Sequence, residues 1–304
     1  MIMSSMINNS NTNNAKSSNI RRVLQVFDGV ETADGDGVKL TRIIGSPYLN
    51  MLDPFLLLDC FESDNADDYV GGFPTHPHRG FETVTYLLNG RMRHKDSAGH
   101  EGIIEPGGVQ WMTAAKGILH SEMPEQEDGL LKGFQLWVNL PASAKMSEPS
   151  YQEYLPESTP LERHDNGTEI RVIAGQTNQG TVGPVVNNYT YPTYLDVSLP
   201  ADTNFEQTLS EAHNAFIYII EGHITVLNAE DNRTDKPPHH LSPKKLAVLT
   251  KGEQLQIRSD TDGARFLLIA GQPLEEPIAR GGPFVMNTKD EVLQAFADFR
   301  QGKF

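Results

Sequence analysis

Apolar residues in this chain come in short runs closed by turn residues, which is the spacing of an all-β protein. Residues 22–27 form the first run, and 83–88, 102–105, 109–113 and 133–140 follow. Asn89-Gly90 and Pro106-Gly107-Gly108 stand between them as hairpin and turn signals. A polar stretch punctuated by Pro141, Pro149, Pro156 and Pro160 reads as a linker over 142–160. Strand-like runs resume at 169–174, 190–199, 215–227, 246–249, 254–258 and 264–270, with a charged solvent loop at 228–240. The second half therefore repeats the architecture of the first without an evident sequence repeat.

At the C-terminus the period changes. Thr288 and Glu291 have the spacing of a capping box, and Val292, Leu293, Phe296 and Phe299 form an apolar stripe that Gly302 can close. This predicts a helix within 288–304, packed on a β unit in a structural role. Residues 1–19, dominated by Asn, Ser and Met, read as a disordered tail. The expected organisation is a first β unit at 20–141, the linker at 142–160, a second β unit at 161–287 and the terminal helix.

Composition narrows the partners. The 304 residues include 40 acidic and 25 basic side chains, a formal net charge of −15. Such a surface repels phosphate backbones and anionic lipid. The adjacent basic pairs Arg21-Arg22 and Lys244-Lys245 are short and isolated, so neither direct nucleic-acid binding nor membrane association is expected. No run reads as a membrane span, and residues 1–19 lack the basic-then-apolar order of a secretory signal. Cys60 is the single cysteine and sits in the apolar run 55–61, which points to a buried thiol in a reducing, cytoplasmic setting.

The chemistry concentrates in two places. His76 and His78 are two residues apart, so in an extended chain both imidazoles face one way. Pro77 between them removes a ladder donor and places the pair at a strand edge. An uninterrupted strand would give Glu82 the same parity. His120 and Glu122 repeat the two-residue spacing some forty positions later, and the intervening turns can fold the pairs together. One His-x-His is a weak signal; the second pair is what makes it a candidate site. Three imidazoles and a carboxylate suit a divalent first-row metal, and an octahedral ion would keep two positions open. Zinc would bind as well, so ligand type alone does not name the metal. His94 and His100, in the polar segment 91–100, read as solvent-exposed. Arg79, beside the ligands, reads as a partner in a structural ion pair.

The segments HPHRGFETVTYLLNG (76–90), DSAGHEGIIEPGGVQWMTAAKGILHSEMP (96–124) and GFQLWVNLP (133–141) resemble the pirin family of the cupin superfamily. The similarity runs from about residue 20 to the C-terminus and is densest over 71–141. It implies a bicupin, two antiparallel jelly-roll barrels, with iron held in the first by His76, His78, His120 and Glu122. Other cupins use the first-motif glutamate, here Glu82; for this family it is read as supporting or structural. The second barrel carries no such ligand set and is assigned no metal.

Two functions follow from the resemblance. Several pirins are similar to quercetinases, which open a flavonol ring with O2 and release carbon monoxide. This implies one divalent metal, iron(II) first and Mn, Co, Ni, Cu or Zn as alternatives, with Glu122 both ligating it and taking the substrate's hydroxyl proton. The alternative is an iron- or redox-dependent regulator that binds a transcription factor or metabolic enzyme. A monomer is expected, since two barrels can bury each other.

Overall fold

Strand Phe81–Asn89 is buried along both faces, Asn89 excepted, and this explains how the halves are joined. Its even-numbered side chains, Val84, Tyr86 and Leu88, enter a large apolar cluster with Tyr194, Phe216, Tyr218 and Ile269 of the second half. Its odd-numbered side chains face the interior of the first half, where Leu87 packs with Phe61, Met92 and Leu131. A strand covered on both sides tends to read as a continuous apolar run; residues 83–88 depart from this only at Thr83 and Thr85, which are buried all the same.

The computed structural model describes residues 19–227 and 239–304. The tail expected at 1–19 lies outside the described residues except for Asn19, as does the loop at 228–240 up to Pro238. His239 and His240, read as part of that loop, instead open a short strand, His239–Leu241, paired with the end of strand Asn214–Val226.

Among the described residues, two antiparallel sheets build the first half. The seven-stranded one runs in the order Ser150–Tyr154, Val109–Thr113, Phe81–Asn89, Leu131–Asn139, Phe55–Ser63, Val38–Ile44, Val30–Asp34. The four-stranded one runs Phe73–His78, Ile118–Pro124, Met92–Asp96, Glu101–Ile104. The Pro-rich stretch read as linker thus contributes the edge strand Ser150–Tyr154, paired with Val109–Thr113. A nine-stranded sheet, its longest strand Gln254–Gly271, curls into the second half around its own apolar core. Strand Val23–Asp28, first among the described residues, joins this second-half sheet beside Lys245–Leu249.

Between the halves the apolar contact is pinned by polar groups. The Tyr86 hydroxyl donates to Asp196 at 2.6 Å, and Arg265 holds both oxygens of that carboxylate at 2.7 and 3.0 Å. The Tyr86–Asp196 bond crosses between the halves, and Arg265, on the strand paired with that of Asp196, holds the carboxylate in place to receive it.

The terminal helix spans Lys289–Arg300 with the predicted capping box: Thr288 accepts from the Glu291 N–H, and Glu291 accepts from the Thr288 N–H. Two stripe residues stay exposed, Leu293 and, less so, Phe299 at 39%. Leu293 is 65% exposed, because it lies about 100° around the helix from Val292. The packed face is Val292, Ala295 and Phe296, the last against Phe284 with ring centroids 4.9 Å apart. Among the described residues no helix is long and apolar enough to cross a membrane.

Candidate metal centre

His76 and His78 occupy strand Phe73–His78 at the edge of the four-stranded sheet, as Pro77 predicts, with Pro77 opposite Leu119. His120 sits on the neighbouring strand Ile118–Pro124, directly across from His76. The ring centroids are 4.7 Å apart for His76–His78, 4.4 Å for His76–His120 and 4.8 Å for His78–His120. One nitrogen from each lies within 4.8 Å of the others, a spacing that can hold a metal ion.

The protonation states favour such an ion. Burial, reinforced by the neighbouring histidines, holds His78 and His120 well below the ordinary imidazole pKa. Burial also lowers His76, whose Nδ1 contacts the Pro74 carbonyl at 2.8 Å. With its proton donated there, His76 presents the Nε2 lone pair to the site. That Nε2 stands 3.0 Å from the Nε2 of His78. His120 is 1% exposed, yet neither of its ring nitrogens has a hydrogen-bond partner. A buried imidazole without partners is costly, and a metal bound to one nitrogen removes much of that cost. The donor set therefore fits a metal.

Glu122 lines the same cavity as His76 and His78, about 650 Å³ in volume, whose walls include Phe73, Trp137 and Gln135; the clustered ligand atoms are those of His76, His78 and His120, without Glu122. Burial pushes the Glu122 carboxyl up to about 7. The Thr85 hydroxyl is 2.5 Å from Glu122 Oε1 and 2.8 Å from Gln135 Oε1. A hydroxyl has one proton to give, so it can donate to only one of these oxygens. With Glu122 protonated the chain closes: Glu122 donates to Thr85 and Thr85 to Gln135. With Glu122 ionised, Thr85 donates to it and a flipped Gln135 amide can donate to Thr85.

Glu82 lies elsewhere. Gly80 turns the chain between His78 and strand Phe81–Asn89 at φ +90°, which resets the alternation. Only glycine suits this turn, because a Cβ would come within 2.0 Å of the Val285 carbonyl oxygen. Glu82 consequently faces the second half, accepting from Thr113 at 2.8 Å and Asn187 at 2.5 Å. Arg79 forms the expected ion pair, with Asp298 of the terminal helix at 2.8 Å, and donates from Nε to the Lys116 carbonyl. Its guanidinium also lies over the Phe304 ring, 4.4 Å from the centroid. Cys60 is buried and its thiol is pushed up to about 11 by that burial, which makes it unreactive.

His94 overturns the expectation of solvent exposure. It is fully buried on strand Met92–Asp96, pairs in register with Glu122, and its ring is 5.4 Å from that of His120. Met92, His94 and Asp96 alternate inward while Arg93 and Lys95 face out. The alternation was present in the sequence, but two of its inward positions are polar. Nε2 of His94 meets Asp96 at 3.2 Å, and Asp96 also contacts His100 Nδ1 at 2.9 Å. Tyr151, from the stretch read as linker, stacks on both His94 and His100. His100 retains partial exposure. Sequence reasoning also missed Thr85, Gln135, Arg42 and Arg280; nothing in their local sequence marks them, since the cavity is assembled across the fold.

Known relatives cover most of the chain. Residues 37–138 match the Pirin family and residues 194–304 match the Pirin C-terminal cupin domain. A pirin-like protein of Caulobacter vibrioides is 50% identical, covering 94% of this chain and 99% of its own. A Pseudomonas aeruginosa protein, provisionally named a quercetin 2,3-dioxygenase, is 48% identical, covering 93% and 97%. The crystal structure of quercetin 2,3-dioxygenase from Acinetobacter baumannii superposes with a TM-score of 0.82 at 33% identity, covering 94% of this chain and 98% of that one. With the two sheet-built halves and the histidine cluster in the first of them, these matches show that the chain belongs to the pirin family of bicupin proteins.

Proposed function

We propose that the chain is a metal-dependent dioxygenase that opens a flavonol-like aromatic ring with O2, with quercetin 2,3-dioxygenation as the reference reaction. One observation carries the reading: two histidines of a three-imidazole cluster, His76 and His78, line one aromatic-walled cavity of about 650 Å³ together with the carboxyl of Glu122. That volume suits a molecule of three fused or linked rings. The names of the Pseudomonas and Acinetobacter relatives support the same class.

His76, His78 and His120 would hold a divalent transition metal, iron(II) on this reading, with Glu122 as a fourth ligand. Such a metal supplies Lewis acidity toward a substrate hydroxyl and a redox centre for O2. The remaining work falls to the protein. Phe73 and Trp137 present apolar faces to a planar ring, and Trp137 lies 5.2 Å from His78 between ring centroids. Glu122 would take the hydroxyl proton, since it is a buried carboxylate lining the cavity beside His76 and His78. Thr85 and Gln135 turn to match either state of Glu122.

The test is oxygen uptake and carbon monoxide release with quercetin at matched metal occupancy. Glu122→Gln is expected to lower turnover by roughly 10²–10⁴-fold while most of the metal stays bound. Wild-type turnover in metal-loaded Glu122→Gln would remove the base assignment. Metal-loaded wild type that consumes no quercetin would end the dioxygenase reading in favour of an iron-dependent interaction protein.

A further inference from the structure

Resting on the reading of this cavity as the substrate site, we infer that the substrate is an aromatic anion and that Arg280 binds its charged group. Arg280 comes from the second half, on the short strand Ala279–Gly281, and lines the same cavity as His76, His78 and Glu122. Its hydrogen bonds go to two backbone carbonyls, Leu56 at 2.8 Å and Asn50 at 3.3 Å. Among the described residues no carboxylate pairs with it. Two of the five N–H groups of the guanidinium are thereby used, and three are left to offer.

The other cation of the cavity is already neutralised. Arg42 sits between Asp34 at 2.8 Å and Asp59 at 2.7 Å. A ligand anion is repelled at that end by two carboxylates and is attracted at Arg280, which faces none. Arg42 is also near enough to Arg280 to lower its pKa, after the larger effect of burial.

Position and rigidity agree. Leu56, whose carbonyl holds Arg280, adjoins Leu57, which pairs in register with Trp137, and Trp137 packs against His78. An aromatic body lying along Trp137 therefore reaches from the histidines toward Arg280. The strand carrying Arg280 is paired with Phe284–Met286, which is bridged through Phe284 to Arg79 in the metal-bearing segment. The substrate class is then a planar aromatic with two acidic functions: a hydroxyl at the histidines, and a carboxylate or ionised phenol at Arg280.

Calorimetric titration with naphthalene-2-carboxylate and its neutral isostere naphthalene-2-carboxamide tests this, on full-length protein both metal-loaded and metal-free. Arg280 is solvent-exposed by surface area, and a charge-assisted hydrogen bond from such a group is worth about tenfold in affinity. In both forms Arg280→Gln is expected to bind the carboxylate about tenfold more weakly and the carboxamide as the wild type does, while Arg280→Lys keeps part of the preference. Equal loss of both probes would reduce Arg280 to a shape element and overturn the inference. So would unchanged carboxylate binding in Arg280→Gln, or no carboxylate binding by the wild type. A preference that vanishes on metal removal and ignores Arg280 would assign the anion to the metal, leaving the dioxygenase reading intact and this inference refuted.

Discussion

Replacing His120 with alanine will leave a folded protein that no longer retains stoichiometric metal. His120 is one corner of a nearly equilateral triangle of rings, 4.4 Å from that of His76 and 4.8 Å from that of His78, with those two 4.7 Å apart. Removing a group that merely supports a ligand costs roughly 10–100-fold in metal affinity, and removing a ligand from a three-histidine set will exceed that. The metal-free protein behaves differently. Neither His120 nitrogen has a partner, so truncation sacrifices packing but no hydrogen bond, and the metal-free stabilities of variant and wild type will lie close together. The contrast appears on adding metal. At a hundred times its dissociation constant, a metal raises wild-type stability by about 2.7 kcal/mol and will leave the variant unchanged. Elemental analysis together with melting curves at several metal concentrations checks both halves. One equivalent of metal retained by His120→Ala would show that the histidine cluster is not the centre.

How far the sequence reveals this arrangement depends on which physical signal a residue leaves. Strands Val109–Thr113 and Glu169–Ala174 fall where the apolar runs end, because side-chain alternation and Gly/Pro turns are local effects. The capping box of the last helix is legible for the same reason. His76, His78, His120 and Glu122 stand out because a two-residue spacing on strands puts both members of each pair on one face. What stays hidden is what distant contacts decide. His94 is buried by polar neighbours that resemble a solvent segment, and Leu293 belongs by composition, though not by angle, to the buried stripe. Glu82 is turned away from the cavity by Gly80, whose necessity comes from Val285, some two hundred residues later. Strand Ser150–Tyr154 lies in a stretch whose prolines and charges carry the composition of a linker, yet it closes the sheet edge and supplies Tyr151 to His94.

The same stretch holds the residue whose loss will most disturb the scaffold of the centre. Lys145 is 1% exposed, and its ammonium donates to the Gly80 carbonyl at 2.7 Å, Asn139 Oδ1 at 2.6 Å and the Val285 carbonyl at 3.0 Å. It thereby joins the turn after His78, the end of strand Leu131–Asn139 and the returning C-terminal strand Phe284–Met286. Lys145→Met keeps the aliphatic stem and leaves three oxygens facing an apolar methyl. At about 1 kcal/mol or more for each stranded acceptor, the expected destabilisation is about 3 kcal/mol, read as a lower urea midpoint at unchanged slope. Lys116 is the control. Its ion pair with Glu148 is solvent-exposed on both sides, so Lys116→Met will cost under about 1 kcal/mol. Because Gly80 is only two residues from His78, metal affinity will fall in Lys145→Met even under conditions where the variant is fully folded, whereas Lys116→Met will bind as the wild type does. Wild-type stability in Lys145→Met would mean that other groups or water satisfy the three oxygens, and that the C-terminal strand docks on the turn after His78 without this ammonium.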